Sequence, residues 1–395
     1  MGRRIAIFTN SVFTIGGEQR VVVKIANELS KRHDVTLYTM DPSFKEKKAC
    51  YEISDKVCVG FYHPYRLDFV SFVLRVATHM IPWLVYDKYP WMLKRAYYCD
   101  KYADLLYKHI RNDFDTVIVT AWQLSIILGM TVKKYKISCR TIGWQHSAYD
   151  AYFERKHLYL YKHTDDFVEN AGHLSKIVVL NEVDSNKYYN NLGIKCEVIY
   201  NPKSFTSEKK SDVKNRRFIA SGRITPPKRF DRLIEAFNIY SKMESEWELV
   251  ILGDGPLRGR VERLIKKYNL GARVHMYGFT RDVITPMLKS SIFLLTSDYE
   301  GFPMCITEAY ELGLPVISFD IPAMEPLSRN GEAIIVDAFD IKKYAKEMYS
   351  LAADYGKRLE MQKNAISMAE SLRIEVICSK WKRIIESSDC PAKRW

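Results

Sequence analysis

Short, nearly uninterrupted apolar runs alternate along this chain with segments whose apolar positions recur every three or four residues. IAIFTN (5–10), DVTLYTM (34–40), DTVIVTA (115–121), RTIGWQH (140–146) and KIVVLN (176–181) read as strands, and the segments between them as helices. The pattern then starts again with RFIASGR (217–223), WELVILGDG (247–255), RVHMYG (273–278), SIFLLTS (291–297) and LPVISFD (314–320). Strands apolar on both faces and separated by helices predict parallel sheets covered on both sides. Two such series predict an α/β chain of two doubly wound, Rossmann-like domains facing each other across a cleft. The polar stretch SFTSEKKSDVKNR (204–216) is expected to be a charged linker, giving domains 1–203 and 204–370.

Ligands of such sheets bind beyond the carboxyl ends of the strands, so the loops there are where chemistry is sought. In SDYEGFPMCITEAYELGLPVISFD (297–320), Pro303 suits the first turn of a helix, which leaves Glu300 on a loop and Glu308 on the helix. Gly301 frees the backbone, so the amides of Phe302, Met304 and Cys305 can face a ligand at the positive end of the helix dipole. Five helical residues rise about 7.5 Å, so the two acids can hold hydroxyls at opposite ends of one ligand. A nucleotide sugar has that shape. Taken alone, the pair fits equally well a helix cap and a solvated face residue. ASGRITPPKRFDRLIEAF (220–237) places Gly222 and Arg223 directly after a strand and Lys228 at the start of a helix. An Arg fork and a Lys point charge suit a departing nucleoside diphosphate without a metal, though surface basics at a helix start give the same pattern. Gly16 and Gly17, between strand and helix, let backbone approach a phosphate or a sugar. The lack of G-x-G-x-x-G disfavours a dinucleotide.

In this order, Gly16-Gly17, VIYNP (198–202), SGRITPPK with Arg223 and Lys228, LGDGPLR (252–258), MYGFTRDV (276–283) and EGFPMCITEA (300–309) resemble the retaining GT-B glycosyltransferases known as family 4. The resemblance implies the GT-B fold, with a C-terminal helix at about 371–390 crossing back to the first domain. It implies that Arg223 and Lys228 hold the donor diphosphate, that Glu300 and the neighbouring loop amides hold the sugar, and that Glu308 holds the ribose. Gly278 and Thr280 would lie near the base. RTIGWQHSAYDAY (140–152) resembles the His-containing loop of members that extend lipid-linked glycans. Gln145 stands where an acid is common and Ala148 follows Ser147, so only the role of His146 carries over, contact with the donor sugar or the acceptor. The implied reaction moves a hexose or N-acetylhexosamine from a UDP-sugar to a hydroxyl of a growing lipid-linked glycan, with retention, in the synthesis of lipopolysaccharide, capsule or another surface polysaccharide. A nucleotide-sugar epimerase of the same fold and a non-catalytic polyanion- or glycan-binding protein are the rivals.

A net charge of +13 with 13% aromatic residues admits nucleic acid, an anionic membrane or an anionic substrate as partner. The motifs favour the last and leave nucleic acid without a role. Residues 61–100 interleave Arg66, Arg75, Lys88, Lys94 and Arg95 with Trp83, Trp91, Tyr86, Tyr89, Tyr97 and Tyr98 among prolines 64, 82 and 90. That mixture suits short amphipathic pieces on an anionic membrane, or equally a helical subdomain with an aromatic core. No uncharged apolar run of membrane-spanning length and no cleavable leader pattern is present, so the expected place is the cytoplasm, attached peripherally to the inner face of the membrane. Eight cysteines without a C-x-x-C pair predict free thiols. Asp113-Phe114-Asp115 reads as a turn ahead of a strand rather than a metal site. No metal or cofactor is expected to be required.

Overall fold

A computed structural model describes residues 2–41, 51–62, 69–111 and 113–387. Pro64 and Arg66 of the aromatic segment, Cys50 and Cys390 lie outside the described residues. The chain divides into two compact units, Met1–Tyr200 with Ile374–Trp395, and Asn201–Arg373.

The first unit carries strands β1 (Arg4–Thr9), β2 (Asp34–Thr39), β3 (Val57–Phe61), β4 (Thr116–Val119), β5 (Arg140–Trp144), β6 (Lys176–Val179) and β7 (Cys196–Val198). They form one parallel sheet in the order β3-β2-β1-β4-β5-β6-β7. Ile5, Ala6, Ile7 and Phe8 of the central β1 are wholly buried, which is why that run shows no polar alternation. The sheet reverses its strand order between β1 and β4, the kind of position at which doubly wound sheets bind their ligands. The helix Ile374–Glu386 packs on the helix Gly17–Leu29 through Ile377, Cys378, Trp381, Ile384 and Ile385, a stripe of helical spacing. Trp381 meets Trp144 edge-on at 4.7 Å, and Arg140 donates to the carbonyls of Ile384 (2.7 Å) and Ser387 (2.6 Å) at the end of that helix.

The second unit carries β8 (Arg217–Ser221), β9 (Glu248–Leu252), β10 (Val274–Gly278), β11 (Ile292–Leu295), β12 (Val316–Phe319) and β13 (Ala333–Val336). All are parallel, in the order β10-β9-β8-β11-β12-β13. This is the doubly wound order with its reversal between β8 and β11. Each of the ten apolar runs forms a strand. The three further strands, β3, β7 and β13, all lie at sheet edges.

The stretch 204–216 is not a free linker. It belongs to the second unit and wraps one buried carboxylate, that of Glu311 on the helix Met304–Glu311. Lys203 reaches Glu311 at 2.5 Å and Glu370 at 2.8 Å, Lys210 reaches Glu311 at 2.9 Å, and the Ser207 backbone N–H donates to it at 2.8 Å. The charges that made the segment look solvated are directed at a single internal acid. Burial raises the Glu311 pKa, but the bonds from Lys203, Lys210 and Ser207 outweigh it and hold the group below its ordinary value.

The aromatic segment breaks at its prolines into the helix Phe69–Met80, a π-helical turn Leu84–Lys88 and the helix Trp91–Tyr97. Tyr86 and Tyr98 are core, whereas Trp83, Tyr89 and Trp91 are exposed. Among the described residues no helix is long and apolar enough to cross a membrane.

Glu311→Ala should cost about 3 kcal/mol in urea unfolding at pH 7, because buried Lys203 keeps only the half-exposed Glu370. Since the folded-state pKa lies below the ordinary 4.5, this stabilisation is present above that pH and fades as the pH falls below it. A gap between wild type and variant that does not narrow in acid would contradict this account.

Candidate active site

In the second unit, the loops after β8, β9 and β10 are stitched together by backbone bonds. Gly222 N–H donates to Leu252 (3.0 Å), Ile224 N–H to Asp254 (2.9 Å) and Gly253 N–H to Gly278 (2.8 Å). The approach is so close that a Cβ on Gly253, whose φ is +133°, would lie 2.0 Å from the Gly222 carbonyl oxygen. Beyond Gly222 the chain makes a single 3-10 turn, Pro226–Lys228, and Arg229 adopts a left-handed conformation before the helix Phe230–Tyr240 begins. Lys228 thus stands ahead of the helix instead of in its first turn. There its Nζ meets Glu300 Oε1 at 2.6 Å, and the Ser297 hydroxyl donates to the same oxygen at 2.6 Å.

A second set of bonds holds these two loops in register. Asp298 N–H donates to the Pro227 carbonyl at 2.7 Å, and the Asp298 carboxylate takes Arg229 at 3.4 Å and Arg232 more closely. The loops after β8 and β11, on either side of the strand-order reversal, are therefore clasped by three basic and two acidic side chains. Burial works to lower the Lys228 pKa, but the charge and hydrogen bond of Glu300 prevail and raise it. The ammonium is therefore permanent.

Glu308 is buried on the helix Met304–Glu311, which begins directly after Pro303. Cys305 lies within the fields of Lys228, Glu300 and Glu308, and burial pushes its thiol up to about 12. It is an inert packing group. Lys228, Glu300, Cys305 and Glu308 are thus one cluster. Arg223, on the same loop as Gly222, is exposed, and among the described residues its guanidinium makes no hydrogen bond or ion pair. Gly278, with φ +84°, is flanked by exposed Tyr277 and Phe279, and the Thr280 hydroxyl accepts the Asp282 N–H at 3.0 Å.

The remaining candidates are in the first unit. Gly16 precedes the helix that starts at Gly17, and the Tyr51 hydroxyl takes up both its N–H and its carbonyl at 3.0 Å each. His146 follows β5, its ring 4.2 Å from that of Trp144, with its backbone N–H donating to the Tyr152 hydroxyl at 3.3 Å. Burial lowers its pKa to about 3, so the imidazole is neutral, and its buried Nε2 has no hydrogen-bond partner among the described residues. Arg229 and Arg232 escaped the sequence reading because cations at a helix start look solvated, and Ser297 and Asp298 because small polar residues after a strand look like ordinary turn residues. Asp115 of the D-x-D sits ahead of β4, at the amino ends of the strands, where it accepts the Arg4 backbone N–H at 2.8 Å.

Residues 203–368, which include the whole clasp, match the family described as glycosyl transferases group 1. This span is a group 1 glycosyl transferase domain. The glycosyl transferase domain continues into full-length similarities on both sides. The chain is 24% identical to the amylovoran biosynthesis glycosyltransferase AmsD of Erwinia amylovora over 97% of its length and 99% of that protein's. It is 23% identical, over 96% and 97%, to the GalNAc-alpha-(1->4)-GalNAc-alpha-(1->3)-diNAcBac-PP-undecaprenol alpha-1,4-N-acetyl-D-galactosaminyltransferase of Campylobacter jejuni. Among solved structures, a mutant of S. aureus TarM in complex with Fondaparinux, alpha-GlcNAc-glycerol and UDP superposes with a TM-score of 0.73 at 14% identity, covering 98% of this chain and 100% of that one. The fold is GT-B, with the glycosyl transferase domain as its second Rossmann-like sheet.

A neutral His146 makes acid stability sensitive to this one side chain. The unfolded chain binds the proton near pH 6.5 and the folded one near 3, so stability is intact above 6.5 and is lost as the pH falls between those values. Melting temperatures measured across that window should fall more steeply for the wild type than for His146→Gln. Parallel curves would mean that His146 is solvated.

Proposed function

We propose that the protein is a retaining glycosyltransferase that moves a hexose or N-acetylhexosamine from a UDP-sugar to a hydroxyl of a growing, lipid-linked glycan in bacterial surface polysaccharide synthesis. The observation that carries the reading is the clasp at the β8/β11 reversal, a permanent cation paired with an acid on a loop that also carries an exposed arginine. In this reading Lys228 and Arg223 receive the diphosphate, Glu300 and the loop amides from Gly301 to Cys305 receive the sugar, and Glu308 the ribose. As the bond from the anomeric carbon to phosphate oxygen breaks, its electron pair passes to the diphosphate, whose charge Arg223 and Lys228 stabilise. The acceptor hydroxyl oxygen bonds to the same face of that carbon, and its proton goes to a diphosphate oxygen. No metal is needed to carry the charge. The UDP in the TarM complex and the undecaprenol-linked name of the Campylobacter relative support the choice of donor and acceptor class.

We further propose peripheral attachment at the cytoplasmic face of the membrane, by a different physical route from the one the sequence pattern suggests. Lys94 is engaged by Asp166 at 2.5 Å, and Arg75 and Arg95 are half-buried, so these cations are not a free positive face. The helix Phe69–Met80 is instead inside out. Ser71, Leu74 and Thr78 are its buried side, the two hydroxyls satisfied by the carbonyls of Arg95 (3.1 Å) and Arg75 (2.6 Å). Its outer side is Phe69, Val70, Phe72, Val73, Val76 and Met80, with His79 at its margin, and Phe69 is 79% and Met80 75% exposed. Trp83, with Lys88 at 5.3 Å from its ring, continues that face. A continuous apolar face ending in Trp and Lys matches the depth profile of a lipid interface.

Three outcomes are expected. Arg223→Ala and Lys228→Ala should each lower kcat for sugar transfer by about 10²-fold, and EDTA should leave the wild type active; loss in EDTA with recovery in Mn²⁺ would overturn the metal-free step. Titration with free UDP should show Glu308→Ala weakened more than Glu300→Ala, and the reverse order would exchange their roles. Vesicle co-sedimentation should persist at high salt and drop for a Phe72→Gln, Val76→Gln, Met80→Gln triple variant, whereas equal pelleting of variant and wild type would remove this helix as the anchor.

A further inference from the structure

We propose that Phe339, which lies outside every motif that resembles the family, is a positioning residue for the donor: its ring seals the ion pair of Arg232 with Asp298 and so holds Lys228 and Glu300 in place. The ligand, a nucleoside diphosphate, rests on the glycosyltransferase reading; the contact does not. Phe339 stands in the loop between β13 and the helix Ile341–Ala353. The guanidinium carbon of Arg232 lies 3.8 Å from the centre of its ring, which places the cation on the ring's face. Arg232 in turn pairs with Asp298, and the two side chains are only 13% and 15% exposed. Asp298 donates its N–H to the Pro227 carbonyl at 2.7 Å, next to Lys228, and Glu300 follows on the same loop.

The backbone shows that this placement is not the chain's easiest choice. Asp340 N–H donates to the Asp337 carbonyl at 3.1 Å, closing a turn in which Phe339 is the third residue. Its φ of +81° is the largest positive value of any non-glycine residue among the described residues. A turn with that angle at its third position calls for Gly or Asn, and a bulky side chain there is strained. The turn is nonetheless well anchored, for the Asp340 carboxylate accepts the Lys343 N–H at 2.9 Å and Lys343 reaches Asp337 at 2.6 Å.

Core packing offsets that strain only in part. The ring meets Phe319, the last residue of β12, edge-on at 5.5 Å, yet it stays 37% exposed. What it adds beyond that contact is a cover over Arg232. With water kept off one side of the guanidinium, the attraction between Arg232 and Asp298 is screened less. A planar guanidinium also stacks on an aromatic face, which an ammonium does not. Strained residues concentrate where a ligand site has to be held in one geometry. The segments that follow β8, β11 and β13 are tied to one another by this single contact chain.

The test uses the full chain. Phe339→Tyr and Phe339→Leu both keep the backbone strain and an apolar contact with Phe319, but only Phe339→Tyr keeps an aromatic face for Arg232. Hydrogen exchange of the Asp298 amide, followed without ligand, reports the bond from Asp298 to Pro227. It should quicken by about threefold to thirtyfold in Phe339→Leu, the range for a cation–ring contact from exposed to desolvated sites, and stay at the wild-type rate in Phe339→Tyr. In an Arg232→Ala background Phe339→Leu should add nothing, because the ring acts through the guanidinium. Titration with UDP should show a dissociation constant raised by about threefold or more in Phe339→Leu and unchanged in Phe339→Tyr. Equal exchange in wild type and Phe339→Leu, fast exchange in Phe339→Tyr, a further effect of Phe339→Leu on top of Arg232→Ala, or unchanged UDP affinity despite faster exchange overturns the proposal. A wild type that binds no UDP, with exchange still quickened by Phe339→Leu, leaves the contact standing and removes the UDP-donor reading instead.

Discussion

The ion pair between Lys228 and Glu300, backed by Asp298 with Arg229 and Arg232, is the constraint on which the candidate site depends. Two loops from either side of a strand-order reversal have no backbone ladder to hold them, since parallel strands end where the loops begin. Side-chain charge takes over that task, together with the one backbone bond from Asp298 to Pro227. Because the pair is partly buried, its attraction is screened less than that of a surface bridge, and the lysine stays charged despite its desolvation.

The two units use the same topological position for opposite electrostatics. At the β8/β11 reversal the cluster is ionic and held by salt bridges. At the β1/β4 reversal burial keeps the His146 imidazole neutral and raises the Glu18 carboxyl to about 7. A third environment, the outward side of the helix Phe69–Met80, is apolar apart from His79, because the helix points its hydroxyls inward.

Much of the architecture was legible because buried parallel strands leave long apolar runs. The three strands that escaped notice are edge strands: VCVGF is interrupted by Gly60 and half-exposed, CEV is three residues long, and AIIV is mostly only half-buried. An edge strand pairs on one side only and needs no continuous apolar run. The segment 204–216 misled for the opposite reason, because its lysines look solvated until one knows that Glu311 is inside. Glu300, Glu308 and Lys228 were legible from glycine, proline and charge spacing next to strands.

By itself, the sequence determined the alternation of strand and helix, the two sheets and the loops that carry charge, because period and apolar content are local properties of the chain. Only the tertiary structure decided which charges meet. Lys228 and Glu300 are 72 residues apart and Glu18 and Thr120 are 102 apart, so no local pattern encodes either pairing. Nor does any local pattern encode solvation. The burial that neutralises His146, raises Glu18 and turns the face of Phe69–Met80 outward comes from neighbours that only the packed sheet supplies.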